Sequence, residues 1–185
     1  MLNLNLTIFY YINSFANKIY FLDFFMILVT NYLIYIVAIM SLAFIFLRYR
    51  NKNISFFDFL SIKRMFLMVL PIFTTVILVK IIKLMIAEPR PFEVLLGVNK
   101  LLTATQGESF PSNHAAFAAV IACIVYFHNK KLGKILILFS FLVGVSRIYV
   151  GVHYPLDVLV GWGIGFVIAY IFYKIIYKNV KVFNK

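Results

Sequence analysis

Lys83, Arg90, His114, Arg147, His153 and Asp157 are the residues whose types and spacing suit chemistry, and they fall in three short polar stretches. The first is Lys83-Leu-Met-Ile-Ala-Glu-Pro-Arg90-Pro91. The second is Ser109-Phe-Pro-Ser-Asn-His114, which runs into Ala-Ala-Phe-Ala-Ala-Val. The third is Ser146-Arg147-Ile-Tyr-Val-Gly-Val-His153-Tyr-Pro-Leu-Asp157. Three cations, two imidazoles and a carboxylate match an anionic phosphate ester. Cations hold its charge, one imidazole attacks, and the other protonates the leaving oxygen.

Each stretch also has a plainer reading on its own. Lys83 falls in the last turn of an apolar run, where an ionisable residue is a functional candidate but a lysine snorkelling to the interface looks the same. Arg90 stands between Pro89 and Pro91, which stiffen the backbone and leave a planar guanidinium fork available to phosphate oxygens. Lys80, one turn before Lys83, is either a helper or an interfacial charge. Pro111-Ser112 ahead of an apolar run predicts a capped helix start, whose free N–H groups and dipole favour an anion. Ser112 adds a hydroxyl and His114 lies in the first turn; an ordinary capped helix with an interfacial histidine would read alike. In the third stretch Gly151 permits a tight reversal and Pro155 suits the first helical position. Asp157, four residues after His153, is then placed to reach an imidazole nitrogen and fix its tautomer. A helix-start acid favoured by the dipole accounts for Asp157 but not for Arg147 and His153 beside it.

The elements that must position these residues are apolar. The chain is 64% hydrophobic and only 13% charged, with 21 Phe and 12 Tyr among 185 residues. That balance predicts an all-α membrane bundle, with aromatic belts at its interfaces, and excludes a soluble domain. Five spans are expected, at about 21–47, 65–86, 115–127, 135–149 and 156–173, as one domain over 1–185. The first 16 residues read as an interfacial amphipathic helix. They lack the basic region and small-residue site of a cleavable signal. The net charge of +12 is read by position rather than as a nucleic-acid footprint. Arg48, Arg50, Lys52, Lys63 and Arg64, then Lys130, Lys131 and Lys134, then Lys174, Lys178, Lys181 and Lys185 all fall on one side if five spans alternate. The positive-inside rule makes that side cytoplasmic. Residues 87–113 and 150–155 then share the outer side. His128 belongs to the cytoplasmic link. The lone Cys123 forms no intrachain disulfide, and no Cys/His metal cluster is present. Gly161, Gly163 and Gly165 suit tight packing of the last span.

In these three stretches the sequence resembles the type 2 phosphatidic acid phosphatase (PAP2) superfamily. Its pattern is Lys-x6-Arg-Pro, then Pro-Ser-Gly-His, then Ser-Arg-x5-His-x3-Asp. Lys83 to Arg90-Pro91 meets the first part. Pro111-Ser112-Asn113-His114 meets the second with Asn for Gly, and Ser146-Arg147 with His153 and Asp157 meets the third. The resemblance implies that His153 is the nucleophile, oriented by Asp157, and that His114 is the general acid. It implies that Lys83, Arg90, Arg147 and Ser112 bind the phosphate with the Asn113 backbone N–H, and that no metal or other cofactor is needed. Ala87-Glu-Pro-Arg-Pro-Phe92 and the third stretch are most similar to undecaprenyl-diphosphatases of the bacitracin-resistance type. The expected reaction is therefore hydrolysis of undecaprenyl diphosphate to the monophosphate at the outer face of a bacterial inner membrane. Phosphatidylglycerol phosphate, phosphatidate or a lipid A phosphate are the alternative substrates, and transfer to a second lipid is an alternative reaction. A non-enzymatic scaffold or lipid carrier would not need the full set of side chains. The resemblance implies a lipid phosphate and the bilayer as partners, without nucleic acid, and leaves the oligomeric state open.

Overall fold

A computed structural model describes residues 2–50, 59–103 and 107–177. Lys52, Lys178, Lys181 and Lys185, on which part of the topology argument rests, lie outside the described residues. Every regular element among the described residues is helical. The segments 20–44, 69–94, 130–149 and 155–175 are each long and apolar enough to cross a membrane.

The first helix, α1 (Leu2–Asn13), is 12 residues long and reaches about 18 Å, too short to span. It lies against the last two long helices, burying Phe9 and Asn13 completely or nearly so. This is the short, non-spanning helix expected of the N-terminus. The first span is one rod made of α2 (Tyr20–Leu28), a π-helical turn (Val29–Leu33) and α3 (Ile34–Arg50). The π-turn matters because it carries Thr30, which is fully buried, toward the bundle.

α4 (Phe59–Ile86) tolerates Pro71 within its length. The hydroxyls of Thr74 and Thr75 bond back to the carbonyls of Leu70 and Pro71 at 3.0 and 2.8 Å, hiding polar groups that hydrocarbon would not accept. After Ile86 the chain leaves the helix and passes through the one-turn helix α5 (Pro91–Val94). Glu93 caps α5 by accepting the Arg90 backbone N–H at 2.9 Å.

α6 (Asn113–His128) is the central helix, with an unbroken buried run from Ala118 to Val125 and contacts to α3, α4, α7 and α8. At 16 residues it reaches only about 24 Å against a hydrocarbon core of about 30 Å. Its neighbours enclose it, so little of its backbone faces lipid. α7 (Lys130–Tyr149) follows after one residue, Asn129, whose side chain accepts the Leu132 N–H at 3.0 Å. Lys130, Lys131 and Lys134, expected in a link, are therefore in the first turns of α7, and the Lys130 ammonium lies 3.9 Å from the Tyr126 ring centroid. His128 is likewise helical, half-buried and 2.8 Å from the Ile124 carbonyl rather than solvated in a loop.

α8 (Pro155–Phe172) ends in a second π-helical turn (Tyr173–Tyr177) and packs closely on α6. A Cβ at Gly161 would lie 2.7 Å from the Ser112 carbonyl, and one at Gly165 would lie 2.5 Å from the Ala116 carbonyl. Gly163 faces away, with nothing within 4 Å, so two of the three glycines set the packing. The α4–α6 connection and the α7–α8 reversal meet at the same end of the bundle, where Leu101 N–H donates to the Val150 carbonyl at 3.3 Å.

Candidate active site

The reversal between α7 and α8 presents His153. Gly151 sits at φ +81°, and a Cβ there would fall 2.8 Å from the Asn99 carbonyl, so glycine alone fits. Pro155 then starts α8 and places Asp157 at its third position, with Tyr154 as the cap residue. Asp157 Oδ2 accepts the Tyr154 backbone N–H at 2.8 Å and lies 3.3 Å from His153 Nδ1. The carboxylate selects the tautomer that carries its proton on Nδ1, leaving the Nε2 lone pair free to attack. Nε2 lies 3.5 Å from the nearest Arg90 guanidinium nitrogen. Burial first, then Arg147, Arg90 and Lys83, hold the His153 imidazole well below its usual pKa, so it is neutral at pH 7.

The three cations converge on this ring. Arg90 is held by the carbonyls of Gly107 at 2.8 Å and Val152 at 3.0 Å. Lys83 donates to the carbonyls of Glu108 and Ser109. Arg147 donates to Thr30 Oγ1 at 3.1 Å, and its Nε has no partner among the described residues. All three are less than a tenth exposed. A buried guanidinium with an unanswered N–H is costly unless an anion completes it. Lys83 and Arg147 are thus tied by neutral oxygens and retain donors for a phosphoryl group, and Arg90 adds its charge beside them.

The second stretch supplies the other imidazole. Ser112 caps α6, its Oγ accepting the Ala115 N–H at 3.5 Å, which leaves the hydroxyl proton to donate elsewhere. Its own N–H is taken by the Asp157 carbonyl at 3.0 Å, which ties the start of α6 to the start of α8. His114, in the first turn, is half-buried and within electrostatic range of Arg147, His153, Arg90 and Lys83. It lines a cavity of about 560 Å³ between α3, α4 and α6, together with Lys80, Lys83, Glu108 and Asn113. The structure therefore gathers Lys83, Arg90, Ser112, Asn113, His114, Arg147, His153 and Asp157 at one end of the bundle. His153 and Asp157 lie at its closed centre, and Lys83, Asn113 and His114 lie on the cavity side.

Three contributors are not evident in the sequence. Ser109 Oγ donates to Asp157 Oδ2 and lies 3.4 Å from His153 Nδ1, so the carboxylate and imidazole share a third group. Thr30 holds Arg147 from the first span. Asn13 of α1 donates to the carbonyls of Asn99 and Tyr149 at 2.9 and 2.8 Å and accepts the Asn99 N–H at 2.9 Å. It fastens the end of α7 to the α4–α6 connection. Only the Asx-type capping preference of Asn and Ser hinted at such roles.

A family model described as the PAP2 superfamily matches residues 64–181. The undecaprenyl-diphosphatase BcrC of Bacillus subtilis strain 168 is 40% identical over 94 residues, 51% of this chain and 48% of that protein. The chain spans a little under half the length of this and two other curated relatives that it matches. The crystal structure of Aquifex aeolicus LpxE superposes with a TM-score of 0.73 at 31% identity, covering 92% of this chain and 95% of that one. The PAP2-type phosphatidylglycerolphosphate phosphatase of Bacillus subtilis shares the fold, with a TM-score of 0.72 at 23% identity over 96% of this chain and 87% of that one.

Proposed function

Since this multi-span chain belongs to the PAP2 superfamily, we propose that it removes a phosphate from a membrane lipid through His153, and that the lipid is undecaprenyl diphosphate. The observation that carries the reading is the His153 ring itself. Its Nδ1 is turned to Asp157 and Ser109, its Nε2 faces Arg90, and Lys83 and Arg147 complete the ring of positive charge.

In the proposed reaction the terminal phosphoryl group lies among Arg90, Arg147 and Lys83, with the Ser112 hydroxyl and the Asn113 N–H on its remaining oxygens. The Nε2 lone pair attacks phosphorus, and the bond to the bridging oxygen breaks. The negative charge of the bound phosphate offsets the cations around His114, so that His114 takes up a proton in the complex and donates it to that oxygen, and the lipid monophosphate leaves. Asp157 stabilises the imidazolium character that develops on His153. A water then gives its proton to His114 and attacks the phosphohistidine, releasing inorganic phosphate and restoring both imidazoles. None of these steps routes through a metal, and among the described residues no group of three His, Cys, Asp or Glu is placed to hold one.

The choice of lipid rests on the similarity to BcrC, 40% identical over 51% of this chain. The proposed orientation rests on the positive-inside rule, which favours the outer face, and the proposed bacterial inner membrane rests on the similarity to BcrC. The test is phosphate release by the purified protein from undecaprenyl diphosphate, phosphatidylglycerol phosphate, phosphatidate and a lipid A phosphate, side by side. Undecaprenyl diphosphate is expected to be turned over best, with activity insensitive to chelators and lost in His153→Ala. Faster turnover of another lipid would replace the substrate and leave the chemistry standing.

A further inference from the structure

The cavity beside His114 carries one more cation than a single phosphoryl group calls for. Lys80 and Lys83 lie three residues apart on α4, so they share a face, and both line this cavity. Lys83 is engaged by the Glu108 and Ser109 carbonyls. Lys80 makes no hydrogen bond or ion pair with the described residues. It stands six residues before Ile86, the end of α4, which is about 9 Å below the helix end. An unpaired ammonium at that depth is costly in hydrocarbon and marks a polar pathway by default. A lysine serving only as an interfacial anchor has no reason to share a cavity with His114 and Asn113.

We propose that Lys80 binds the second, retained phosphate of a diphosphate lipid and sets the preference for diphosphates over monophosphates. The inference rests on the phosphatase reading above. By the helical rise Lys80 is about 4.5 Å further from the outer end of α4 than Lys83. The lipid tail lies toward the bilayer interior, so the retained phosphate falls between the reacting phosphate and the tail, on the Lys80 side of Lys83. Beyond Lys80 the cavity wall turns apolar, through Val76, Tyr35, Ala38 and Phe117, as the first units of a prenyl chain require. When the anhydride bond breaks, its electron pair stays with the bridging oxygen and negative charge grows on the retained phosphate. A cation there favours the transition state as well as binding. A monophosphate ester has a carbon at that place and gains nothing from Lys80.

The experiment uses the full chain in detergent with farnesyl diphosphate and farnesyl monophosphate, which share one tail. It reads the ratio of their kcat/KM values in wild type, Lys80→Gln and Lys80→Arg. Loss of one charge-assisted contact is expected to lower the diphosphate-to-monophosphate ratio about tenfold in Lys80→Gln. Lys80→Arg, which keeps the charge, is expected to retain a ratio within about threefold of wild type. An unchanged ratio in Lys80→Gln, or an equal fall for both substrates as a purely structural lysine would give, overturns the proposal. Wild type that cleaves the monophosphate and not the diphosphate also overturns it and leaves the phosphatase reading intact. Wild type that releases phosphate from neither substrate, nor from any of the four lipids above, defeats that reading and this proposal with it.

Discussion

The two sides of α6 are built differently. Toward α8 its first half is packed so closely that Gly161 and Gly165 meet its backbone, and that side carries Arg147, His153 and Asp157; only further along, away from the site, does an apolar cavity of about 460 Å³ open between α6, α7 and α8. Toward α3 and α4 it leaves a cavity of about 560 Å³, and that side carries Lys80, Lys83 and the mouth next to His114. The nucleophile and its orienter need fixed geometry, because a misplacement of an ångström forfeits much of the rate. A lipid needs room to enter. One helix serves both needs by presenting its small residues to one side and His114 to the other.

The packed side should break first. Gly161→Val puts a branched side chain where even a Cβ would lie 2.7 Å from the Ser112 carbonyl. Both folded yield and activity are expected to collapse. Gly163→Ala, where nothing lies within 4 Å, is expected to keep the thermal midpoint or raise it slightly, as removal of a helical glycine does. Unfolding midpoints in detergent separate the two. A stable, active Gly161→Val would mean that α6 and α8 need not be close.

On the cavity side, His114→Ala is expected to lower kcat by about a hundredfold or more, the usual contribution of a general acid, with little change in KM. A substrate with a leaving group that needs no protonation, such as a nitrophenyl phosphate, should recover most of that loss. Equal losses on both substrates would remove His114 from the acid role.

Ser109→Ala tests the centre more gently. It removes one donor from Asp157 and leaves the Tyr154 N–H in place. Activity is expected to fall about tenfold, the scale of one hydrogen bond to a charged group. The pH profile gives an independent reading of the same centre. A His153 held below its usual pKa stays neutral and nucleophilic as pH falls through about 6.5, so the acid limb of kcat/KM should lie below that value. An acid limb at or above it would mean that burial and the three cations do not hold His153 neutral.

The sequence made the charged and imidazole side chains legible on both sides of α6, and the uncharged groups that hold them much less so. Lys83, Arg90, Arg147, His153 and Asp157 interrupt apolar runs, and their helix-end positions follow from Pro, Gly and Ser signals that the structure reproduces. Gly161 and Gly165 were readable as packing residues, although nothing distinguished them from Gly163 until the facing helix was known. Ser109 was not legible as part of the centre. A serine in a Phe-Pro loop carries no periodicity or charge, and its partner Asp157 is 48 residues away. Thr30 was hidden for a similar reason: it lies inside an apolar span, turned inward by a π-helical turn that composition does not mark. The basic link before α7 proved to be helix because Asn129 caps it. Lys80 was visible as a charge with two equal readings, and only the cavity gave it a direction.

The central claim is that His153 Nε2 carries the phosphoryl group between lipid and water. A rapid alkaline quench of the enzyme during turnover of undecaprenyl diphosphate, followed by peptide mass spectrometry, tests it most directly. Phosphate on the peptide containing His153, absent in His153→Gln, is the expected result. Steady turnover with no phosphorylated His153, or with phosphate trapped on another residue, would contradict the account.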